Sequence, residues 1–337
     1  MTDRQALSDA FVARAGWGEA TRNPLAGDAS DRRYDRLTLG QHSAVLMDAP
    51  PGKGDDPADF IRIADHLASL DLSPPRILAR DLAQGFLLLE DLGDRLVARE
   101  TAVPAQEEML YRLAVDVLIH LQSCPAPPDL PNLSAADWAA AAGFAPDWYR
   151  FAARGDAGDS ADFQTELASL LTRHADGPRV LILRDYHAEN LLWLPHRDGL
   201  RQMGLLDFQL GQMGQPGYDL VSLLQDARRD VPMALESALV QHFVTATGAD
   251  PAAFSAAYAV LGAQRALRIL GIFARLCLKG GKAGYLPLLP RVWGQLQRNL
   301  AHPDLADLRA ICQSLLPEPT PGIIARIGAQ CGMHPHR

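Results

Sequence analysis

The sequence has no C-x-x-C pair: its four cysteines, Cys124, Cys277, Cys312 and Cys331, stand far apart in 337 residues. Neither a zinc ribbon nor a disulfide framework is expected from such spacing, and four buried thiols are the simpler reading. Positive charge is in deficit, with 32 Lys and Arg against 40 Asp and Glu and a formal charge of −8. A general binder of nucleic acid or of an anionic membrane would need the opposite balance, so small molecules are the expected partners. Residues 1–20 carry Asp3, Asp9 and Glu19 with no apolar h-region. No later run reaches the roughly 18 apolar residues of a spanning helix, so neither a leader nor a membrane segment is expected and a cytoplasmic location is. A Walker-type phosphate loop is missing too: Lys279-Gly-Gly-Lys282-Ala-Gly284 lacks G-x-x-x-x-G-K-[ST] and reads as a helix terminator and turn. His334-Pro-His336 reads as a frayed end rather than a metal site.

What is present is enough apolar residue, 48% of the chain, to bury a sizeable core shared by two domains, with no internal repeat. Up to Asp94 the pattern is mostly β-like. Segments 33–39 and 43–48 read as a hairpin through Leu39-Gly40-Gln41, and 76–79 and 85–90 as two further strands. Between them, Phe60, Ile63, Ala64 and Leu67 recur at i, i+3, i+4, i+7, which predicts one helix over 59–70. From Pro104 helices dominate, with patterns over 251–278 and 287–299 and a helix opened by Pro216, interrupted by three short strand-like runs at 179–183, 191–194 and 203–208. The fold class is α+β, with a β-rich part over 1–94, a mainly helical part over 95–337, and 93–105 as the linker.

The chemistry falls on the interrupted stretch. An apolar run delivers Asp185, Asn190 follows five residues later, and a further apolar run ends in Asp207-Phe208. Phosphoryl transfer needs such a set: one carboxylate to take or orient the hydroxyl proton of the nucleophile, and oxygen ligands that hold Mg²⁺ against phosphates. This pattern resembles the aminoglycoside phosphotransferases, a protein-kinase-like family, because Asp185, His187 and Asn190 match D-x-H-x-x-N and Gly214-Gln-Pro216-Gly-Tyr218-Asp219-Leu220 follows Asp207. Within that family it looks most like the bacterial anomeric kinases of N-acetylmuramate and N-acetylglucosamine that serve cell-wall recycling. Gly27–Tyr34, Val45–Pro51, Gly85–Gly93, Leu206–Gln209 and Leu270–Leu276 carry that likeness across most of the chain.

The resemblance implies a two-lobed kinase fold, ATP and Mg²⁺ as cofactors, and a sugar 1-phosphate as product. It makes Asp185 the catalytic base and Asn190 and Asp207 the metal ligands. The loop with Ala29, Ser30, Arg32 and Arg33 would cover the nucleotide phosphates, backbone at Glu90 and Leu92 would meet adenine, and His187 would contact substrate or support its loop. Asp219 would stabilise the catalytic segment, and Arg265, Arg268 and Arg275 share one helical pattern where a lactyl carboxylate would need a cation. Two departures stand out: Met47 occupies the place of the usual strand Lys, with no Glu on the next helix, and Leu183 replaces a loop His. Arg32 or Arg33 is expected to supply the missing charge. Alternatives left open are a kinase of another hydroxyl compound, of aminoglycoside or choline type, and a nucleotide-binding pseudokinase.

Overall fold

A computed structural model describes residues 4–25, 32–54 and 56–336. In chain order the elements are α1 (Arg4–Arg14), β1 (Thr21–Leu25), β2 (Arg33–Leu39), β3 (His42–Asp48), α2 (Pro57–Ser69), β4 (Ile77–Asp81), β5 (Phe86–Glu90), α3 (Val97–Glu100) and α4 (Pro104–Ser123). Then follow α5 (Ala135–Ala142), a π-helical turn (Ala145–Arg150), α6 (Phe151–Arg154), α7 (Ala161–Ala175), β6 (Val180–Ile182), β7 (Leu191–Trp193), β8 (Met203–Leu205) and β9 (Gln212–Gly214). The chain continues with α8 (Tyr218–Leu224), α9 (Met233–Thr247), α10 (Pro251–Leu278), α11 (Leu289–Leu300), α12 (Ala306–Leu315) and α13 (Pro321–Gly328).

These elements cluster into two compact units, one of residues 1–128 with 183–211 and the other of residues 129–182 with 212–337. The first, the sheet unit, holds an antiparallel sheet in the order β1-β2-β3-β5-β4. Its inner strand β5 buries Phe86, Leu87, Leu88 and Leu89, as a strand covered on both faces must. Phe11 and Val12 of α1 lie on one face among Leu37, Ala44, Leu46, Phe86 and Leu88, and the rings of Phe11 and Phe86 stack at 5.6 Å. Each such buried Val, Leu or Phe side chain contributes roughly 1.5–3 kcal/mol. The helix predicted from Phe60, Ile63, Ala64 and Leu67 is α2, and all four are buried. Asp56 caps it by accepting from Ala58 N (2.8 Å), and Pro57 opens the first turn, where its missing N–H is not needed.

The sheet unit also takes in α4 and 183–211, whereas the sequence cut the chain at Asp94. Long-range pairing is the reason. Ser73 bridges Gly204, Ser73 Oγ donates to Arg201 O (2.8 Å), and a ring nitrogen of His120 bonds Leu70 O (2.9 Å). The expected linker is likewise structured: it contains α3, Leu96 bridges Leu192, Trp193 N donates to Arg95 O (2.8 Å), and Val97 is fully buried.

The second, helical unit is organised by α10, whose buried residues form one cluster with α5, α7, α11, α12 and the π-helical turn. Gly271 makes this possible, because a Cβ there would fall 2.1 Å from Phe144 C and O. Contrary to expectation, α10 is long and apolar enough to cross a membrane. Since 83% of that window is buried inside the fold, its apolarity is that of a core helix. The predicted strand runs became β6 and the β7–β8 hairpin, and β6 pairs with the short β9. The prediction of four buried thiols is corrected: Cys277 and Cys312 are buried, while Cys124 and Cys331 are half-exposed.

Candidate active site

Asp185, Asn190 and Asp207 all belong to the sheet unit, and hydrogen bonds knit them into one cluster. The loop begins with a tight three-residue turn: Asp185 N donates to Leu183 O (2.9 Å), and Arg184 inside it has φ +71°. Asp207 has φ +55°. Two of the four non-glycine residues with positive φ among the described residues thus sit at this cluster, a placement typical of strained functional sites.

Anchors on both sides hold the loop. The buried Tyr186 hydroxyl donates to Ala114 O of α4 (2.8 Å), and Leu206 N donates to Asn190 O (2.9 Å), tying the hairpin's far end to the loop. Leu183, where the family has His, is 2% exposed and fills core space instead of donating a hydrogen bond. Phe208, fully buried, stacks on Phe60 of α2 with ring centroids 4.8 Å apart, which fixes the residue next to Asp207.

Asn190 is the node. Its Nδ2 donates to Asp185 O (2.9 Å) and lies 3.3 Å from His187 Nε2 and 3.5 Å from Asp207 Oδ2. An amide nitrogen only donates, so His187 Nε2 is the acceptor in that contact. His187 itself is 5% exposed, and its carbonyl accepts from Asn190 N (2.8 Å). Of the two roles expected for His187, substrate contact and loop support, the contact present is with its own loop, at Asn190.

With Nδ2 committed, Asn190 Oδ1 is the amide atom left for a cation. On the other side, the nearly buried Gln209 donates Nε2 to Asp207 Oδ1 (2.8 Å), which sets the plane of that carboxylate. Gln209 had no role in the sequence reading, although Leu-Asp-Phe-Gln was part of the motif. No group of three or more His, Cys, Asp or Glu side chains could cage a metal among the described residues. One carboxylate and one amide oxygen suit Mg²⁺, which keeps water and takes phosphate oxygens for the rest of its octahedron. The residues present fit that ion.

At the end of β5 the Glu90 side chain is occupied: Oε1 accepts from Arg197 Nη2 (2.7 Å) and Oε2 from Arg76 N and Nε (both 3.2 Å). Leu92, two residues on, makes no backbone hydrogen bond among the described residues. Its Cδ1 would lie 3.3 Å from a Cβ at Gly204, so the absent side chain on β8 makes room for it. The following turn is clamped by Arg36 of β2, which donates to Asp94 Oδ1 and Oδ2 (both 2.8 Å) and Asp91 Oδ1 (3.1 Å). The Arg36 hydrogen bonds hold the Asp94 carboxyl below its usual range.

Ala29 and Ser30 lie outside the described residues. Arg32 is 5% exposed, while Arg33 is exposed at the start of β2 opposite Asp48. Met47 is fully buried, opposite Tyr34 on β2 and Leu87 on β5, so the usual Lys position is part of the core. On α2, Asp59 pairs with Arg62 (2.9 Å) and Asp65 is exposed. Arg265 serves the helical unit, donating to Ser222 Oγ (2.9 Å); Asp219 is fully buried. A cleft of about 530 Å³ between the α2 end, 72–77 and 196–201 contains none of the three central residues.

A turn-borne Asp, an Asn five residues later and a second Asp at the end of a hairpin, carried beside an antiparallel sheet, define a phosphotransferase of the protein-kinase-like class. The chain belongs to the Phosphotransferase enzyme family (APH), which it matches over residues 21–259. It is 36% identical to an N-acetylmuramate/N-acetylglucosamine kinase of Caulobacter vibrioides, over 95% of this chain and 98% of that one. It is also 36% identical to a protein of the same name from Pseudomonas aeruginosa, over 92% and 93% of the two chains. The crystal structure of a putative aminoglycoside phosphotransferase from Ralstonia eutropha shares the fold, with a TM-score of 0.62 at 17% identity, over 88% of this chain and 98% of that one.

Proposed function

We propose that the chain transfers the γ-phosphoryl of Mg·ATP to the anomeric hydroxyl of N-acetylmuramate, N-acetylglucosamine or both, yielding the sugar 1-phosphate within peptidoglycan recycling in the cytoplasm. The observation that carries this is Asn190 Nδ2 held on Asp185 O at 2.9 Å, with Asp207 Oδ2 3.5 Å from the same nitrogen. The names of the full-length relatives supply the acceptor.

In this reading residues 1–94 form the nucleotide-binding lobe. The Leu92 backbone groups next to Glu90 receive adenine, and the loop with Ala29 and Ser30 covers the phosphates. Asn190 Oδ1 and Asp207 would hold Mg²⁺, which when bound would supply positive charge against the phosphoryl oxygens. Asp185 accepts the proton of the anomeric hydroxyl as its oxygen attacks the γ-phosphorus and ADP leaves. His187 keeps the Asn190 amide in register. Arg32 or Arg33 replaces the strand Lys lost at Met47, and changing both to Ala would then weaken ATP binding and turnover; unchanged kinetics would remove them from the account. Positioning and electrostatics provide most of the rate.

A transfer screen tests the acceptor. ³¹P NMR with N-acetylmuramate, N-acetylglucosamine, an aminoglycoside and choline, with Asp207→Ala as the blank, should give a glycosyl phosphate signal with one or both amino sugars. Transfer to the aminoglycoside or choline alone would move the substrate assignment, and no ATP consumption above the blank with any acceptor would overturn it.

A further inference from the structure

Two of the four cysteines are neighbours in the fold. Cys277 lies in the last turn of α10, fully buried, and Cys331 lies half-exposed in the turn after α13. Their backbones run side by side: Gly332 N donates to Cys277 O (2.9 Å) and His334 N to Leu278 O (3.0 Å). Gly332 has φ +74°, the conformation that lets the chain turn back onto the helix. Cys277 Sγ approaches Ile327 O at 3.8 Å, and Cys331 packs against the buried cluster that contains Cys277. A disulfide needs its two Cα atoms within about 7 Å, and the bond from Gly332 N to Cys277 O holds the two backbones side by side.

We propose that Cys277 and Cys331 are a paired oxidation site that closes to an intrachain disulfide, stapling segment 329–336 to the end of α10. The order of attack follows from exposure. Burial and the neighbouring thiol push Cys277 up to about 12, so it stays protonated, and the accessible Cys331 reacts first. The Cys331 thiolate attacks a low-molecular-weight disulfide and expels one thiolate. The Cys277 sulfur, losing its proton, then attacks Cys331 in the mixed disulfide and expels the second. Two protein thiols are oxidised and the small disulfide is reduced to two thiols. The remaining cysteines serve as internal controls. Cys312 is 1% exposed on α12, and Cys124, as accessible as Cys331, lies against Ser123 Oγ (3.9 Å).

The test treats the full chain with oxidised glutathione and maps its peptides before and after dithiothreitol. The expected result is a 277–331 linkage, reversible by dithiothreitol and absent in Cys331→Ser, with a melting temperature raised by roughly 2–8 °C in the oxidised form. Cys277→Ala should instead trap Cys331 as a lasting mixed disulfide with glutathione. Cys331 remaining a mixed disulfide in the unsubstituted chain, like Cys124, would overturn the pairing. So would both thiols staying free.

Discussion

Replacing Asn190 probes the cluster at its node. In Asn190→Ala the backbone bonds to His187 O and from Leu206 N persist, so the hairpin stays attached. What disappears is the Nδ2–H that serves Asp185 O at 2.9 Å and His187 Nε2 at 3.3 Å, together with the amide oxygen assigned to the metal. Stranding one half-buried carbonyl acceptor costs about 1–2 kcal/mol, the lower part of the range for a buried polar group left unmade. With a urea slope of about 2 kcal/mol/M, the unfolding midpoint should fall by roughly 0.5–1 M. Separately, losing one of the two proposed protein ligands should raise the Mg²⁺ concentration for half-maximal nucleotide binding by about 10–100-fold. Asn190→Asp divides the two effects: it has no donor for Asp185 O, so the stability loss remains, but its carboxylate keeps an oxygen for the cation. Urea titration followed by tryptophan fluorescence and Mg²⁺ titration of a fluorescent ADP analogue read them independently. Wild-type stability together with a wild-type Mg²⁺ requirement in Asn190→Ala would refute the reasoning.

Three further outcomes follow from neighbouring contacts. Phe60→Ala removes a ring that is 4% exposed and stacked on Phe208, so denaturant unfolding should show a loss of about 3–5 kcal/mol; a loss under ~1 kcal/mol would mean that the stack does not anchor Asp207. Tyr186→Phe removes the hydroxyl bond to Ala114 O, a carbonyl that keeps its place in the helical ladder of α4, and should destabilise by about 0.5–1.5 kcal/mol, read by the same titration. Burial raises the Asp226 carboxyl above its ordinary value, against the partial relief of Arg228 N, Arg265, Arg228 and Arg229. The folded state therefore binds that proton more tightly than the unfolded one. The resulting stability is full below the ordinary carboxylate pKa and is lost as pH rises through the raised folded value. Asp226→Asn keeps the Oδ1 acceptor for Arg228 N and should melt higher than the wild type at pH 8, with the advantage shrinking toward pH 4. A constant difference across that range would contradict the assignment.

The elements readable from sequence were those with a strong local period: the apolar stripe of α2, the β2–β3 hairpin and α10 at its full length. Missed were α1, whose buried residues are only Ser8, Phe11 and Val12, and β1, which contains Pro24. Pro is tolerated there because β1 is an edge strand, a fact that exists only once the sheet is assembled. The central residues Asp185, Asn190 and Asp207 were legible because their spacing along the chain is itself the signal. Their supports were not, since Tyr186 with Ala114, Phe60 with Phe208 and Arg36 with Asp94 are pairs far apart in sequence. Gln209 stood in plain view, yet the hydrogen bond to Asp207 Oδ1 that gives it meaning exists only in the folded loop.

Asp185→Asn tests the central claim most directly. The residue's structural bonds run through its backbone, from its N–H to Leu183 O and from Asn190 Nδ2 to its carbonyl, and the substitution leaves both in place. Single-turnover transfer from ATP to the amino sugar, measured beside nucleotide affinity, should fall by about 10²–10⁴-fold, the usual contribution of a general base, while Mg·ATP binding and melting temperature hold. Transfer at the wild-type rate in Asp185→Asn would contradict the account.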